Sequence, residues 1–292
     1  MKKLTALLLG TAMMLSLAAC GGSTASEAAS SEAASSEAVS SEAASSEAVS
    51  SEAASSEETA TGEAAELTTV NAGKLTMSTN AAFPPYEMTA DDGSFEGIDI
   101  EVAAAIADKL GLELQVDDMD FDAALLAAQT GKSDMVMAGV TVTDDRLTVM
   151  DFSDTYAEGI QSIIVPEDSD IASVDDLAGK KIGTQRGTTG YIYCSDDFGD
   201  DNVIAFDNGL TAVQALNNGQ VDAVVIDNAP AKEFVAANTG LKILDTAYAQ
   251  ENYAIGVAKN NTQLLDAING ALEELQQDGT LQAIVDKYIK AE

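Results

Sequence analysis

From residue 74 onward, short apolar runs alternate with longer amphipathic ones. The runs at 74–79, 113–116, 135–138, 162–165, 181–184, 203–206, 221–226 and 253–258 span four to six residues each, the length and character of strands. Between them the apolar positions recur at helical spacing. Segment 101–110 sets Val102, Ile106 and Leu110 on one stripe and stops at Gly111. Segments 122–129 and 210–217 end just before Gly131 and Gly219. Segment 262–277 carries Leu264, Leu265, Ile268, Leu272 and Leu275, stops at Asp278-Gly279, and is followed by a last helical stretch at 281–289. Strand–helix alternation of this kind predicts an α/β fold whose mixed or parallel sheet is covered on both faces. In such sheets ligands bind at loops beyond the strand ends, often against helix N-termini.

The first 66 residues do not share the pattern. Lys2 and Lys3 precede an apolar stretch, 4–17, that is too short to span a membrane. It runs into Leu17-Ala18-Ala19-Cys20-Gly21-Gly22, which resembles a bacterial lipobox, so residues 1–20 read as a signal peptide. That resemblance implies a lipidated Cys20 at the mature N-terminus, tethering the protein to the lipid bilayer. The plainer alternative is a secretory signal with a chance cysteine. From 26 to 57 a Ser-Glu-Ala-Ala/Val-Ser unit repeats every five residues with nothing to bury. Residues 21–66 therefore read as a disordered linker, with a coil reach of roughly 35–40 Å. With Cys20 lipidated, the other cysteine, Cys194, has no partner and no disulfide is expected.

Charge narrows the function. The chain carries a formal −35, and two lysines and ten glutamates of that balance lie in residues 1–66. The remaining 226 residues, enough for two lobes, keep 12 basic against 39 acidic side chains, a formal −27. No basic stripe exists to neutralise phosphates, which excludes nucleic acid as a partner. The chain has no histidine, and the His, Cys and carboxylate cluster of a metal site is missing, so neither a metal nor another cofactor is expected.

The candidate chemistry gathers in a few stretches. Residues 138–156 read AGVTVTDDRLTVMDFSDTY. Arg146 offers a planar fork of donors that matches a carboxylate, and Thr141 adds a hydroxyl five residues earlier. Alone, Arg146 could equally pair with Asp144, Asp145 or Asp151. Residues 79–88, TNAAFPPYEM, form a loop stiffened by two prolines, with Phe83 and Tyr86 as core aromatics or pocket walls. Phe121 precedes a helix. Residues 181–191, KIGTQRGTTGY, read as strand, glycine turn and helix start. There Thr188 and Thr189 could cap the helix or donate to an anion. Residues 221–227, VDAVVID, end an apolar strand in Asp227, which could as well be a turn or cap residue before Ala229-Pro230.

Together these stretches resemble the polar amino-acid binding proteins that serve ABC importers, solute-binding protein family 3, over residues 75–289. The resemblance implies the two-lobed type II periplasmic-binding fold, with a hinge and an interlobe ligand cleft. Lobe 1 would comprise 67–158 and 252–292 and lobe 2 would comprise 160–251, crossing near 158–162 and 250–254. It implies that Arg146 and Thr141 hold the α-carboxylate of a free amino acid, helped by Thr188 and Thr189. Asp227 would take its ammonium and Gly139 would let that ammonium approach the backbone. Phe83 and Phe121 would be the pocket walls. Asn80 stands where many binders of cationic amino acids carry aspartate, and Gln185 and Ile226 occupy positions that are often polar or charged in selective relatives. These three favour an uncharged ligand. The implied partner is a membrane permease, and the implied place is the extracytoplasmic face of the cell membrane, of Gram-positive type. Two alternatives stand beside this one: a cyclohexadienyl-dehydratase-like enzyme on the same fold, and a receptor for a non-standard amino-acid derivative. No nucleophile–base pair announces an enzyme.

Overall fold

A computed structural model describes residues 67–290. The expected signal peptide 1–20 with Cys20, and the linker 21–66, lie outside the described residues.

The chain enters on β1 (Lys74–Thr79), buried along nearly all its length. A small antiparallel sheet follows, made of β2 (Ala82–Phe83), β3 (Glu87–Thr89) and β4 (Phe95–Glu96). Helix α1 (Ile98–Leu110) then buries Ile98, Val102, Ala103 and Ile106, and ends at Gly111 in the left-handed conformation that glycine adopts cheaply. Next come β5 (Glu113–Asp118), α2 (Phe121–Gln129), β6 (Met135–Val136) and the short α3 (Asp144–Val149). Strand β7 (Met150–Pro166) is 17 residues long. The second half of the chain adds β8 (Ile182–Gln185), α4 (Thr189–Phe198), β9 (Val203–Phe206), α5 (Gly209–Asn217), β10 (Ala223–Asp227), α6 (Asn228–Ala237) and β11 (Leu241–Ile243). It finishes with β12 (Ala249–Ala258), α7 (Thr262–Gln277) and α8 (Thr280–Tyr288).

The main sheet runs β5-β1-β6-β12-β7-β10-β8-β9, with β11 beside β7. Its ends are parallel groups: β5, β1 and β6 on one side, β10, β8 and β9 on the other. The long strands β7 and β12 join them antiparallel, from Met150↔Ala258 to Gln161↔Ala249. Register shifts at Tyr253/Ala254 and Ala254/Gly256 let this pair bend. Beyond that point β7 turns to β10, with Gln161 opposite Asp227. Each parallel group therefore carries its own core. One buries Leu75, Met77, Ile106, Ile255, Ile268 and Leu272. In the other, Val224 faces a cluster with Ile164, Val213 and Phe234, while its neighbour Val225 faces Ile163, Leu177, Ile182 and Cys194. Apolar neighbours on opposite faces of one strand are the mark of a sheet covered on both sides. The C-terminal ends of β1, β6, β8 and β10 lead into the segments that carry the candidate site residues.

Candidate functional site

Arg146 sits in the first turn of α3, whose start is capped by the Thr143 hydroxyl accepting from the Arg146 amide at 3.3 Å. The guanidinium is turned inward and 9% exposed. It donates to the Thr141 carbonyl at 2.8 Å and to the Gly187 carbonyl, beyond β8, at 3.1 Å. It also lies 5.4 Å from the centre of the Phe121 ring. Burial pulls the Arg146 pKa down, and the carboxylate that most opposes this is Glu251. Glu251 is itself buried. It accepts from the Thr141 hydroxyl at 3.0 Å and from the Gln161 amide at 2.9 Å, while its other oxygen has no partner.

A second cross-connection closes the opposite side. Gln185 donates to the Asn80 side-chain oxygen at 2.9 Å, and Asn80 donates in turn to the Met119 carbonyl. Thr188 caps α4, accepting from the Tyr191 amide and donating to the Gln185 carbonyl. Gly139 has φ +55°, and a Cβ there would stand 2.9 Å from the Phe83 ring. The glycine is thus required both by its backbone and by its aromatic neighbour.

Asn80, Phe83, Phe121, Gly139, Thr141, Arg146, Gln185, Thr188 and Thr189 line one cavity. Asp227 does not line it. Its carboxylate accepts from the Ile160 amide at 2.9 Å and from the Ala229 amide at 3.0 Å, capping α6, and bonds the Tyr253 hydroxyl. Burial pushes it up to about 6. Asp227 is therefore held one side chain behind the wall, with Tyr253 between it and the cavity.

Two polar lining residues, Gln161 and Tyr253, which sit where β7 and β12 cross, escaped the sequence reading, whereas Glu87 belongs to the 79–88 loop already singled out. Nothing in a local pattern marks the first two. Glu87 sits in the proline loop and is 1% exposed, with its pKa pushed well above the carboxylate range by burial and by the neighbouring Asp99. Asp99 accepts from the Gly139 amide at 2.9 Å and the Tyr156 hydroxyl at 2.8 Å, and burial pushes it up to about 6. Among the described residues no group of three His, Cys, Asp or Glu side chains is placed to hold a metal ion.

Residues 75–291 match the family of bacterial extracellular solute-binding proteins, family 3. The chain belongs to that family. This family 3 protein is 31% identical to the L-cystine-binding protein TcyJ of Escherichia coli K12 over 223 residues, 75% of this chain and 84% of the relative. Among solved structures it resembles an ancestral arginine-binding protein bound to glutamine, at 43% identity and a TM-score of 0.72, covering 75% of this chain and 99% of that one. An ancestral arginine-binding protein bound to arginine matches at 44% identity and a TM-score of 0.70, covering 74% of this chain and 98% of that one. The family 3 protein thus has the two-lobed type II periplasmic-binding fold, a mixed α/β architecture with a hinge and an interlobe cleft.

Proposed function

We propose that this protein is a receptor that captures a free L-amino acid between its lobes and delivers it to the permease of an ABC importer. The observation that carries this reading is the convergence of Arg146, Thr141 and the capped start of α4 on one cavity between the lobes. A buried carboxylate needs a cationic, donor-rich anchor, and this is one. In this reading Asp227 accepts the ligand's ammonium once the Tyr253 hydroxyl gives way to it. A zwitterion then has an anchor of each sign, on different lobes, and favours the closed form. Phe83, Phe121 and Gly139 shape the walls, and Asn80 and Gln185 bound the side-chain end. Names of the relatives, which include cystine, glutamine and arginine as ligands, support a polar amino acid. We place lobe 1 at 67–158 and 252–292 and lobe 2 at 160–251. The chain is anchored by lipid on Cys20 at the extracytoplasmic face of the cell membrane. In this reading it binds without turnover, in line with the solute-binding family and relatives that it matches.

A thermal-shift panel of the twenty L-amino acids on the full chain tests the reading. A ligand that binds only the native state raises the melting point by mass action. At least one amino acid is expected to do so, and Arg146→Ala and Asp227→Ala are each expected to remove the shift. An unchanged response in Arg146→Ala, or no response to any amino acid in the parent protein, sinks it.

A further inference from the structure

Glu87 lines the cavity, is 1% exposed, and has no hydrogen-bond donor at either carboxyl oxygen. Asp99, fully buried beside it, uses one oxygen for Gly139 and Tyr156 and has no donor at the other. Two adjoining buried carboxylates repel each other, and only the Asp99 oxygen held by Gly139 and Tyr156 has donors to offset its desolvation. One proton cures both defects, with Glu87 carrying it and donating to the free oxygen of Asp99. The surroundings agree. Asp118 at the end of β5 and Asp227 at the end of β10 add negative charge. Tyr86, Tyr156 on β7 and Tyr253 on β12 add phenols whose own pKa values are raised. The cation lining the cavity is Arg146, which the proposed reading commits to the ligand's carboxylate.

We propose that Glu87 and Asp99 share one proton in the empty cleft, and that a guanidinium or ammonium on the ligand's side chain takes its place on binding. The proton leaves Glu87 for the solvent buffer, and the ionised carboxylate pairs with the ligand's second cation. A neutral side chain leaves the pair protonated. Glu87 is the cross-strand partner of Phe83, so the wall and the carboxyl are presented together by one hairpin. Specificity for a cationic side chain is thereby supplied from Glu87 although Asn80 is neutral. This proposal rests on the amino-acid receptor reading.

Calorimetric titration of the full chain near neutral pH, in two buffers of different ionisation enthalpy, counts protons exchanged on binding. L-arginine or L-lysine is expected to bind with release of about one proton, and L-glutamine with none or without detectable binding. The empty protein is expected to show a protonated-carboxyl stretch in its infrared spectrum, which L-arginine and Glu87→Gln each remove. Glu87→Gln is expected to abolish proton release and weaken the cationic ligand by roughly tenfold or more. Tight binding of arginine without proton release, release unaltered in Glu87→Gln, or binding of neutral amino acids alone overturns the proposal and leaves the receptor reading standing. Failure of every amino acid to bind overturns both.

Discussion

Asp99 and Asp227 show what a buried carboxyl does to this fold. Both are pushed up to about 6 by burial, whereas an unfolded aspartate titrates near about 4. Between those values the folded protein holds protons that the unfolded chain has released. Their contribution to stability is therefore complete below about pH 4 and is lost as the pH rises through about 6. A shift of two units amounts to about 3 kcal/mol per group at most. The half-buried Asp151 and the exposed Asp278, whose pKa values are lowered by Lys259 and by Thr280 respectively, pull the other way but are largely screened by solvent. We therefore expect Asp227→Asn to lose less stability than the parent between pH 4 and pH 7, in urea melts without ligand. Equal slopes would show that Asp227 does not hold a proton. The same residue marks a limit of reading a sequence. An aspartate at the end of VDAVVI looks alike whether it faces a ligand or caps a helix. Here it caps α6, and only the fold places it behind Tyr253. Arg146 was legible, because Thr141, Arg146 and the following DFSDTY form a dense local motif. Glu251 was not, because its importance comes from Thr141 and Gln161, 110 and 90 residues away in the chain.

At the scale of elements, the patterns that could be read were those with one buried face. α7 buries Leu264, Ile268, Leu272 and Leu275 at helical spacing, and its bounds follow from the sequence. α6 is absent from the predicted helical stretches, although Asp227 before Ala229-Pro230 reads as a possible cap, and Pro230 stands near its start. It falls in the first turn, where the missing amide hydrogen has no intrahelical partner to lose. β7 was only partly seen, as 162–165, because its first half mixes acids with aromatics and buries few of them. The loop between β8 and α4 makes a sharper prediction. Gly187 has φ +73°, and a Cβ there would stand 1.6 Å from a carboxyl oxygen of Asp122 at the start of α2. Gly187→Ala would strain this turn, whose positive φ side-chain-bearing residues rarely adopt, and draw the Gly187 carbonyl away from Arg146. We expect ligand affinity to fall by roughly tenfold or more. A dissociation constant within twofold of the parent would show that the turn tolerates the side chain.

At the scale of the molecule, local pattern is blind to how the pieces connect. Nothing in the periodicity says that β12, after a whole lobe has been built, returns to pair with β6 and β7. That discontinuous path came from likeness to a family. The proposed lipid anchor on Cys20 belongs to this scale too. Cys20→Ser is expected to leave the folded region unchanged and to shift the protein from the membrane fraction to the medium, as a cell-fractionation blot would show. Equal retention of the variant would remove Cys20 as the tether. The two bridges between lobes, Arg146 to Gly187 and Gln185 to Asn80, are made by the protein's own atoms. A ligand can shift the open–closed balance only by its differential affinity for the two shapes. Self-made bridges lower the work that ligand must do, and so favour capture from dilute surroundings.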